Sequence, residues 1–403
     1  MNHLFISNFG PVKQADLNLK SVNLLIGEQS IGKSTIAKLI AIFTDNASLA
    51  VIAGSGIKSW NGRLRMYDLS VYSQDDYHIK YEYGDAHCHL TISITRKRVL
   101  SSLILDGEMI KDKKRIGEQI VKMRKMFHAD TFMDVLLSEI KALNNKENVK
   151  YQILSLQSLI ESSLYVPAER IAFSMYDNLK SAFSLIGEAT SYTFRRFIVS
   201  LDKAKSIYKN YNSSLLKITY LNEEEGQFFI DTKSNKKYRF YNASSGIQST
   251  IPLLLVLEDI KNREYTSIVI EEPETNLYPS TQVETLKLIL QKARVDGRIV
   301  TITTHSPYLL SAMNNYLYAG SIARNLSKSA KASLDGIVPP SLQLNFADCS
   351  VYSIGESIND EGVYCASILD EKIGMIDANT LDKISFSLSQ EFSSIQDILL
   401  SES

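Results

Sequence analysis

The stretch from residue 27 to residue 35 constrains this chain more than any other, because it carries the pattern Gly-x-x-x-x-Gly-Lys-[Ser/Thr] of a phosphate-binding loop. A strand-like apolar segment, Val22–Ile26, precedes the loop, and a segment with apolar residues at helical spacing follows it to Phe43. Glycines let backbone N–H groups turn towards phosphates, and a helix N-terminus adds partial positive charge. The motif predicts that a nucleoside triphosphate binds to Gly27, Ser30, Gly32, Lys33, Ser34 and Thr35.

A second segment, residues 268–274, ends an apolar, β-branched run with acidic side chains. Such a run is typical of a buried parallel strand, whose carboxyl end lies at the edge of the sheet where ligands bind. We expect Glu271 to hold Mg²⁺ together with the Ser34 hydroxyl, and Glu272 to polarise the water that attacks the γ-phosphate. Lys33 would reach the β- and γ-phosphates.

Two further segments complete the set. Residues 244–248, Ser-Ser-Gly-Ile-Gln, lead into a predicted helix and would present N–H groups and a hydroxyl to an anion. Taken alone, Ser244 and Ser245 are explained equally well as ordinary helix caps. His305 ends the next predicted strand, and this position favours a hydrogen bond to the γ-phosphate or the attacking water over a structural role.

Composition narrows the class of protein. The 403 residues are 44% hydrophobic and 22% charged, as in ordinary globular proteins, and the formal net charge of -1 gives no overall attraction to nucleic acid or anionic membranes. Cys88, Cys349 and Cys365 are widely spaced, which suits reduced thiols. There is no apolar run of transmembrane length and no signal-peptide pattern, so we expect a cytoplasmic location and no membrane partner.

Hydrophobic periodicity predicts an α/β fold. Alternating segments suggest an antiparallel β layer at Arg65–Tyr72, His78–Tyr83, Cys88–Thr95 and Leu100–Leu105. Helical spacing follows at Lys113–Phe127, Asp130–Leu143, Val149–Ser163 and Ala182–Tyr208. Strands return at Leu215–Leu221, Gln227–Asp231 and Lys237–Tyr241. Alternating helices and strands from Ile247 to beyond Pro307 indicate a parallel sheet. We therefore expect an ATPase lobe with the β layer at 1–110, a helical insert at 111–212, a second ATPase lobe at 213–335 and a C-terminal extension at 336–403.

Two side-chain groups allow more than one interpretation. A basic run occupies Lys111, Lys113, Lys114, Arg115, Lys122, Arg124 and Lys125, and a smaller group occupies Lys203, Lys205 and Lys209. These groups could contact nucleic acid, but interspersed acids and few aromatic residues favour a solvated helix face. His87 and His89 would share a strand face, and ordinary alternation is favoured there over a metal site.

The four motifs, in this order, resemble the ATP-binding-cassette type of P-loop ATPase, and more closely its RecF-like, SMC-like and OLD-like members. The similarity extends to residues 5–11 (Phe-Ile-Ser-Asn-Phe-Gly-Pro), 271–279 (Glu-Glu-Pro-Glu-Thr-Asn-Leu-Tyr-Pro) and 304–310 (Thr-His-Ser-Pro-Tyr-Leu-Leu). It also includes residues 166–170 (Val-Pro-Ala-Glu-Arg), which look like a segment that these ATPases place near the nucleotide.

The resemblance implies an ATP-binding-cassette-like core that works with ATP and Mg²⁺ as a dimer or a larger assembly of copies. Ser245, Gly246 and Gln248 stand where the signature motif stands, which acts on the nucleotide of a second protomer. Two positions depart from the pattern: Ile247 replaces a second glycine, and Glu271 replaces the commoner Asp. Gln74 is a candidate for the glutamine that senses Mg²⁺ in many relatives.

Features of some relatives are missing here. The predicted insert lacks the sustained heptads of SMC-type proteins. Fewer than a hundred residues follow His305, and they lack the strand-borne acidic pairs of a two-metal nuclease. The resemblance therefore favours the ATPase of a bacterial antiviral defence system, acting as a sensor or scaffold for a nuclease or toxin encoded separately. The alternative is a RecF-like ATPase that clamps DNA during repair.

Overall fold

The strand that leads into the phosphate loop, Val22–Gly27, lies inside a six-stranded sheet. The computed structural model describes residues 2–85, 87–123, 162–175, 191–260, 265–295, 297–355, 364–370, 373–376 and 390. Its strands are β1 (Asn2–Phe9), β2 (Val12–Asn18), β3 (Val22–Gly27), β4 (His78–Gly84), β5 (Cys88–Thr95), β6 (Arg98–Leu105), β7 (Glu108–Ile110), β8 (Ser163–Val166), β9 (Asn210–Ser213), β10 (Ile218–Glu223), β11 (Gly226–Asp231), β12 (Lys237–Arg239), β13 (Ser267–Glu271), β14 (Ile299–Thr304), β15 (Cys349–Ile354), β16 (Cys365–Ser367), β17 (Leu369–Asp370) and β18 (Met375–Ile376).

Nine α-helices occur within these residues: α1 (Lys33–Thr44), α2 (Asn46–Ser55), α3 (Ile57–Met66), α4 (Lys113–Met123), α5 (Tyr192–Ile207), α6 (Ser245–Asp259), α7 (Pro279–Ala293), α8 (Pro307–Ile322) and α9 (Lys328–Ile337). None of them is by itself long and apolar enough to span a membrane. Only α1 and α2 taken together reach that length and apolar composition, and the chain bends by 80° between them.

The sheet that contains β3, here called the core sheet, has the order β16-β15-β3-β14-β13-β8. It is parallel from β15 across to β8, and among its strands only β16 pairs antiparallel. Its strands alternate between two apolar clusters: Leu24 and Ile268 belong to one, and Leu25 and Val269 to the other. Burial on both faces explains why these strands read as continuous apolar runs rather than as alternating ones. The predicted α/β fold with a parallel sheet is confirmed.

The antiparallel β layer is a second six-stranded sheet with the order β2-β1-β4-β5-β6-β7. Helix α1 lies between it and the core sheet, since its apolar residues pack with Leu4 and Ile92 of the layer and with Val269 of the core. Packing on both sides explains why α1 is apolar around most of its circumference. This arrangement fixes the helix that begins at the phosphate loop.

Two parts of the predicted organisation differ from the structure. The predicted strand at Arg65–Tyr72 is wrong: α3 ends there and a 3₁₀ helix follows at Ser70–Gln74. The buried residues Trp60, Leu64 and Tyr67 follow helical spacing, which outweighs the short alternation after them.

Within the predicted insert, β8 instead forms an edge strand of the core sheet, paired with β13. The helix prediction at Val149–Ser163 is wrong at Ser163, where β8 begins, and its residues up to 161 lie outside the described residues. Helix α5 covers the later part of the Ala182–Tyr208 prediction. The helix predicted at Asp130–Leu143 lies outside the described residues. The sequence pattern does not predict β9, which joins a four-stranded sheet of order β12-β11-β10-β9.

The cysteines give a chemical test of this fold. Cys349 begins β15 and Cys365 begins β16, and burial raises the pKa of each thiol to about 12. At pH 8 roughly one such thiol in ten thousand is a thiolate, so both should resist alkylation. We expect iodoacetamide to modify only the half-buried Cys88 in the native protein and all three cysteines in denaturant, as read by intact mass. Rapid native modification of Cys349 would contradict the placement of β15.

Candidate active site

The phosphate loop connects β3 to α1, and its backbone depends on glycine at both ends. Gly32 has φ of 101° and caps α1 with no side-chain hydrogen bond. A Cβ at Gly27 would lie 2.2 Å from the carbonyl oxygen of Ile354, so only glycine fits beside β15. Ser30 also has positive φ. The N-terminus of α1 therefore opens onto a tightly turned loop, as an anion site requires.

Lys33 lies at the centre of this loop. Its ammonium group donates to the Gly27 carbonyl at 2.8 Å and to the Glu28 carbonyl, and lies 3.3 Å from Nδ1 of His305. Burial lowers the pKa of Lys33 to about 8, although carboxylates, chiefly Glu272, favour the charged form. The amine is thus largely desolvated and surrounded by acceptors.

Glu271 ends β13 as a buried carboxylate beside the phosphate loop. Burial raises its pKa, while hydrogen bonding with the Ser34 hydroxyl and the nearby Tyr165 hydroxyl favours the ionised form. Among the described residues, Oε1 of Glu271 and the Tyr165 hydroxyl have no partner in hydrogen-bond geometry, so Tyr165 interacts with the carboxylate without a well-aligned bond. An unpaired buried carboxylate oxygen next to a serine hydroxyl fits a hard divalent cation such as Mg²⁺.

Glu272 follows immediately and adopts a left-handed backbone conformation, with φ of 42°. Its N–H donates to the Thr303 carbonyl at 2.9 Å, and its carboxylate Oε1 lies 2.8 Å from Nε2 of His305. The ionised carboxylate only accepts, so Nε2–H donates to Glu272 and Nδ1 is left to accept from Lys33. The side chains of Glu272 and His305 are 32% and 25% exposed, which leaves both within reach of water.

The structure therefore brings together the three predicted catalytic residues. Lys33, His305 and Glu272 form one continuous row of contacts at the carboxyl ends of β3, β14 and β13. Ser34 and Glu271, the two predicted metal ligands, lie beside that row.

Glu274 also belongs to the site, although sequence analysis gave it no role. One carboxylate oxygen accepts from the Thr304 hydroxyl at 2.6 Å and from the His305 N–H at 2.7 Å. Glu274 thereby fixes the backbone that carries the imidazole. The available signal was a third carboxylate in the same Glu-Glu-Pro-Glu run.

The signature-like segment begins α6 and makes its contacts within its own chain. A Cβ at Gly246 would lie 2.7 Å from the Asn276 carbonyl, so this glycine allows close packing against the loop after β13. The Gln248 amide donates to the Tyr241 and Ala243 carbonyls and accepts from the Ser174 hydroxyl. Ser245 is exposed. No hydrogen bond among the described residues joins Ser245, Gly246 or Gln248 to the phosphate loop of the same chain.

Other candidates from the sequence lie apart from this row. The Gln74 side chain is exposed and accepts from Arg96 at 2.8 Å. His87 lies 3.5 Å from Asp106, and His89 lies 3.6 Å from Glu82. Each therefore has a partner on the β layer.

Known proteins resemble the chain in sequence and in structure. The family model described as AAA ATPase domain matches residues 1–310. No curated protein matches the sequence.

Similar solved structures include the SmcHead bound to the C-winged helix domain of ScpA, with 13% identity and a TM-score of 0.42, covering 92% of this chain and 98% of that chain. The SMC head domain from Thermotoga maritima has 12% identity and a TM-score of 0.37, covering 77% and 90%. The Smc head domain with an extended coiled coil bound to the C-terminal domain of ScpA, derived from Pyrococcus furiosus, has 11% identity and a TM-score of 0.38, covering 91% and 96%.

The family match spans the phosphate loop, the acidic strand end and the histidine that lie together in the structure. The protein is therefore an ATPase and belongs to the AAA ATPase domain family.

Proposed function

We propose that the row formed by Lys33, His305 and Glu272 hydrolyses ATP by in-line attack of water on the γ-phosphate. The contact of one imidazole with both the loop lysine and an acidic strand end is the observation that carries this proposal. Lys33 would exchange its loop carbonyls for the β- and γ-phosphates. Glu272 would orient the attacking water. His305 would sense the γ-phosphate by donating to it from an imidazole N–H, since phosphate oxygens only accept hydrogen bonds.

Ser34 and Glu271 are the residues that would hold Mg²⁺, since they combine a hydroxyl with an unpaired buried carboxylate oxygen. Bound there, Mg²⁺ would neutralise negative charge on the phosphates. Tyr165, which lies on β8, would help to orient the Glu271 carboxylate.

We further propose that the active form contains two copies with ATP between them. The exposed Ser245 and the N–H groups at the start of α6 are available to a second copy, because Ser244 caps this helix without a side-chain hydrogen bond. Gln248 would act by shaping the segment, given its contacts with its own chain. Gly246 would set how closely the segment packs on Asn276.

For the biological role we propose the ATPase component of an antiviral defence system. The ATPase would act as a sensor or scaffold in the cytoplasm, and a separately encoded nuclease or toxin would be its effector. The motif resemblance supports this role, as does the near-zero net charge, which gives no overall attraction to nucleic acid. Part of the basic run is already engaged, since Lys113 donates to the Val99 carbonyl and Arg115 lies 3.5 Å from Glu108.

The test is affinity capture of tagged Glu272→Gln protein from its native host with ATP, followed by native mass measurement. Tagged Lys33→Met protein, expected not to bind nucleotide, is the matched control. A nuclease or toxin recovered in fixed stoichiometry only with Glu272→Gln would support the defence role. A dimer that carries DNA and no second protein would replace it with the DNA-repair alternative.

A further inference from the structure

Arg170 is fully buried and donates hydrogen bonds to four backbone carbonyls among the described residues. The segment that carries it follows β8 and forms a 3₁₀ helix from Arg170 to Met175. The bonds run from Nε to Ser249 at 3.1 Å, from Nη1 to Pro167 at 3.0 Å and to Glu271 at 2.8 Å, and from Nη2 to Glu272 at 2.7 Å. One guanidinium therefore joins the segment after β8, the first turns of α6 and the carboxyl end of β13.

The contacts with β13 have a specific geometry. Two nitrogens of one planar group bind the carbonyls of Glu271 and Glu272, which belong to the peptide units before and after the Glu272 Cα. Both peptide units that flank Glu272 are therefore held. Glu272 itself has a left-handed backbone, a conformation that is unfavourable for residues other than glycine and persists only when the surroundings impose it. The Thr275 hydroxyl donates to the same Glu272 carbonyl at 2.8 Å.

The charge of Arg170 fits this place as well. Burial lowers its pKa to about 10, and the carboxylates of Glu274, Glu272 and Glu271 oppose that shift. The guanidinium thus supplies positive charge beneath three clustered acids without binding any of their side chains. Their carboxylates stay free to face the phosphate loop and His305.

We infer that Arg170 is a positioning residue for hydrolysis: it holds the Glu272 backbone in the left-handed conformation that directs the carboxylate to His305. This inference rests on the proposed role of Glu272. The bond to the Ser249 carbonyl extends the effect to α6, because the Ser249 hydroxyl contacts both the Gly246 and the Thr275 carbonyls at 3.2 Å. A shift of the signature-like segment, residues 244–248, would thereby move the backbone of Glu272.

The first test compares Arg170→Lys with Arg298→Lys. Arg298 is also buried and donates to backbone carbonyls, those of Tyr265 and Ala293, but it lies at the opposite end of the sheet. Lysine keeps the charge in both variants and loses the two-pronged geometry. We expect kcat to fall about tenfold or more in Arg170→Lys, with KM for ATP within about threefold of wild type. Arg298→Lys should leave kcat of the folded protein within about twofold of wild type. Equal losses of kcat in the two variants would overturn the inference.

A second comparison separates positioning from general damage. If Arg170 acts through Glu272, then Arg170→Lys should cause no further loss of the residual rate in a Glu272→Gln background, and the two effects should not multiply. Multiplying effects would show that Arg170 acts elsewhere. Full activity of Glu272→Gln alone would instead overturn the role of Glu272, whatever Arg170→Lys does.

Thr275→Val covers the case in which Arg170→Lys does not fold. It removes only the hydroxyl bond to the Glu272 carbonyl, so we expect kcat to fall about two- to fivefold with KM unchanged. Arg298→Lys is again the control. If folded Thr275→Val keeps the wild-type kcat, holding the left-handed Glu272 backbone is not how the Glu272 carboxylate is positioned.

Discussion

Replacing Lys33 with methionine is expected to abolish nucleotide binding and hydrolysis together. The ammonium is held inside the loop by the Gly27 and Glu28 carbonyls and by His305, in the position from which it would contact phosphate. Methionine keeps much of the stem and removes the charge and all the donors. We expect kcat/KM to fall by roughly a hundredfold or more, and nucleotide binding in calorimetry to disappear.

This loss should not come from unfolding. Burying an ammonium is unfavourable, as the lowered pKa of Lys33 indicates, so the variant should melt at or above the temperature of the wild type. Lys58→Met, on the exposed face of α3, is the matched control and should keep full activity. Hydrolysis by Lys33→Met within threefold of the wild-type rate would show that the loop is not the phosphate site.

Replacing Glu272 with glutamine is expected to separate binding from hydrolysis. The glutamine carbonyl can still accept from Nε2–H of His305, so the row of contacts should persist while the negative charge that orients water is lost. We expect affinity for ATP within a few-fold of wild type and a fall in kcat of roughly a hundredfold or more. Because ATP is then bound and not consumed, the variant should accumulate as a closed dimer in light scattering.

Glu284→Gln serves as the control for this change. Glu284 lies on α7, where its carboxylate pairs with Lys287 at the surface. Glu284→Gln should leave kcat and the mass of the assembly in light scattering the same as in wild type. If Glu272→Gln hydrolyses ATP at the wild-type rate, another group orients the water and the proposed role of Glu272 is wrong.

The sequence motifs located the site because each of its parts is local. A phosphate loop needs a strand, a turn and a helix in succession, and the acidic pair needs only a strand that ends there. The adjacency of β3, β14 and β13 then follows from how parallel sheets are wound, so Lys33, His305 and Glu272 could be expected to meet.

What the sequence left undetermined depends on partners far along the chain. β8 is a short apolar run inside a stretch that the sequence predicts to be helical, and its place is decided by pairing with β13, which comes about a hundred residues later. The Gln248 amide and the Arg170 guanidinium each donate to backbone carbonyls, and no local sequence pattern predicts these bonds. Arg65–Tyr72 alternates like a strand, yet burial of Trp60 and Leu64 continues the helix into it.

The position of β15 changes how this protein can be divided. The family match ends at residue 310, but β15 pairs with β3 along its length, and the Ile354 carbonyl lies against Gly27, where the phosphate loop starts. A fragment cut at the end of the match would leave β3 as an open sheet edge, available to pair with other chains. It would also remove the Ile354 carbonyl, against which the start of the phosphate loop packs. A fusion protein that carries this ATPase, or a comparison with shorter proteins, should therefore include the strand at residues 349–354 as part of the ATPase fold.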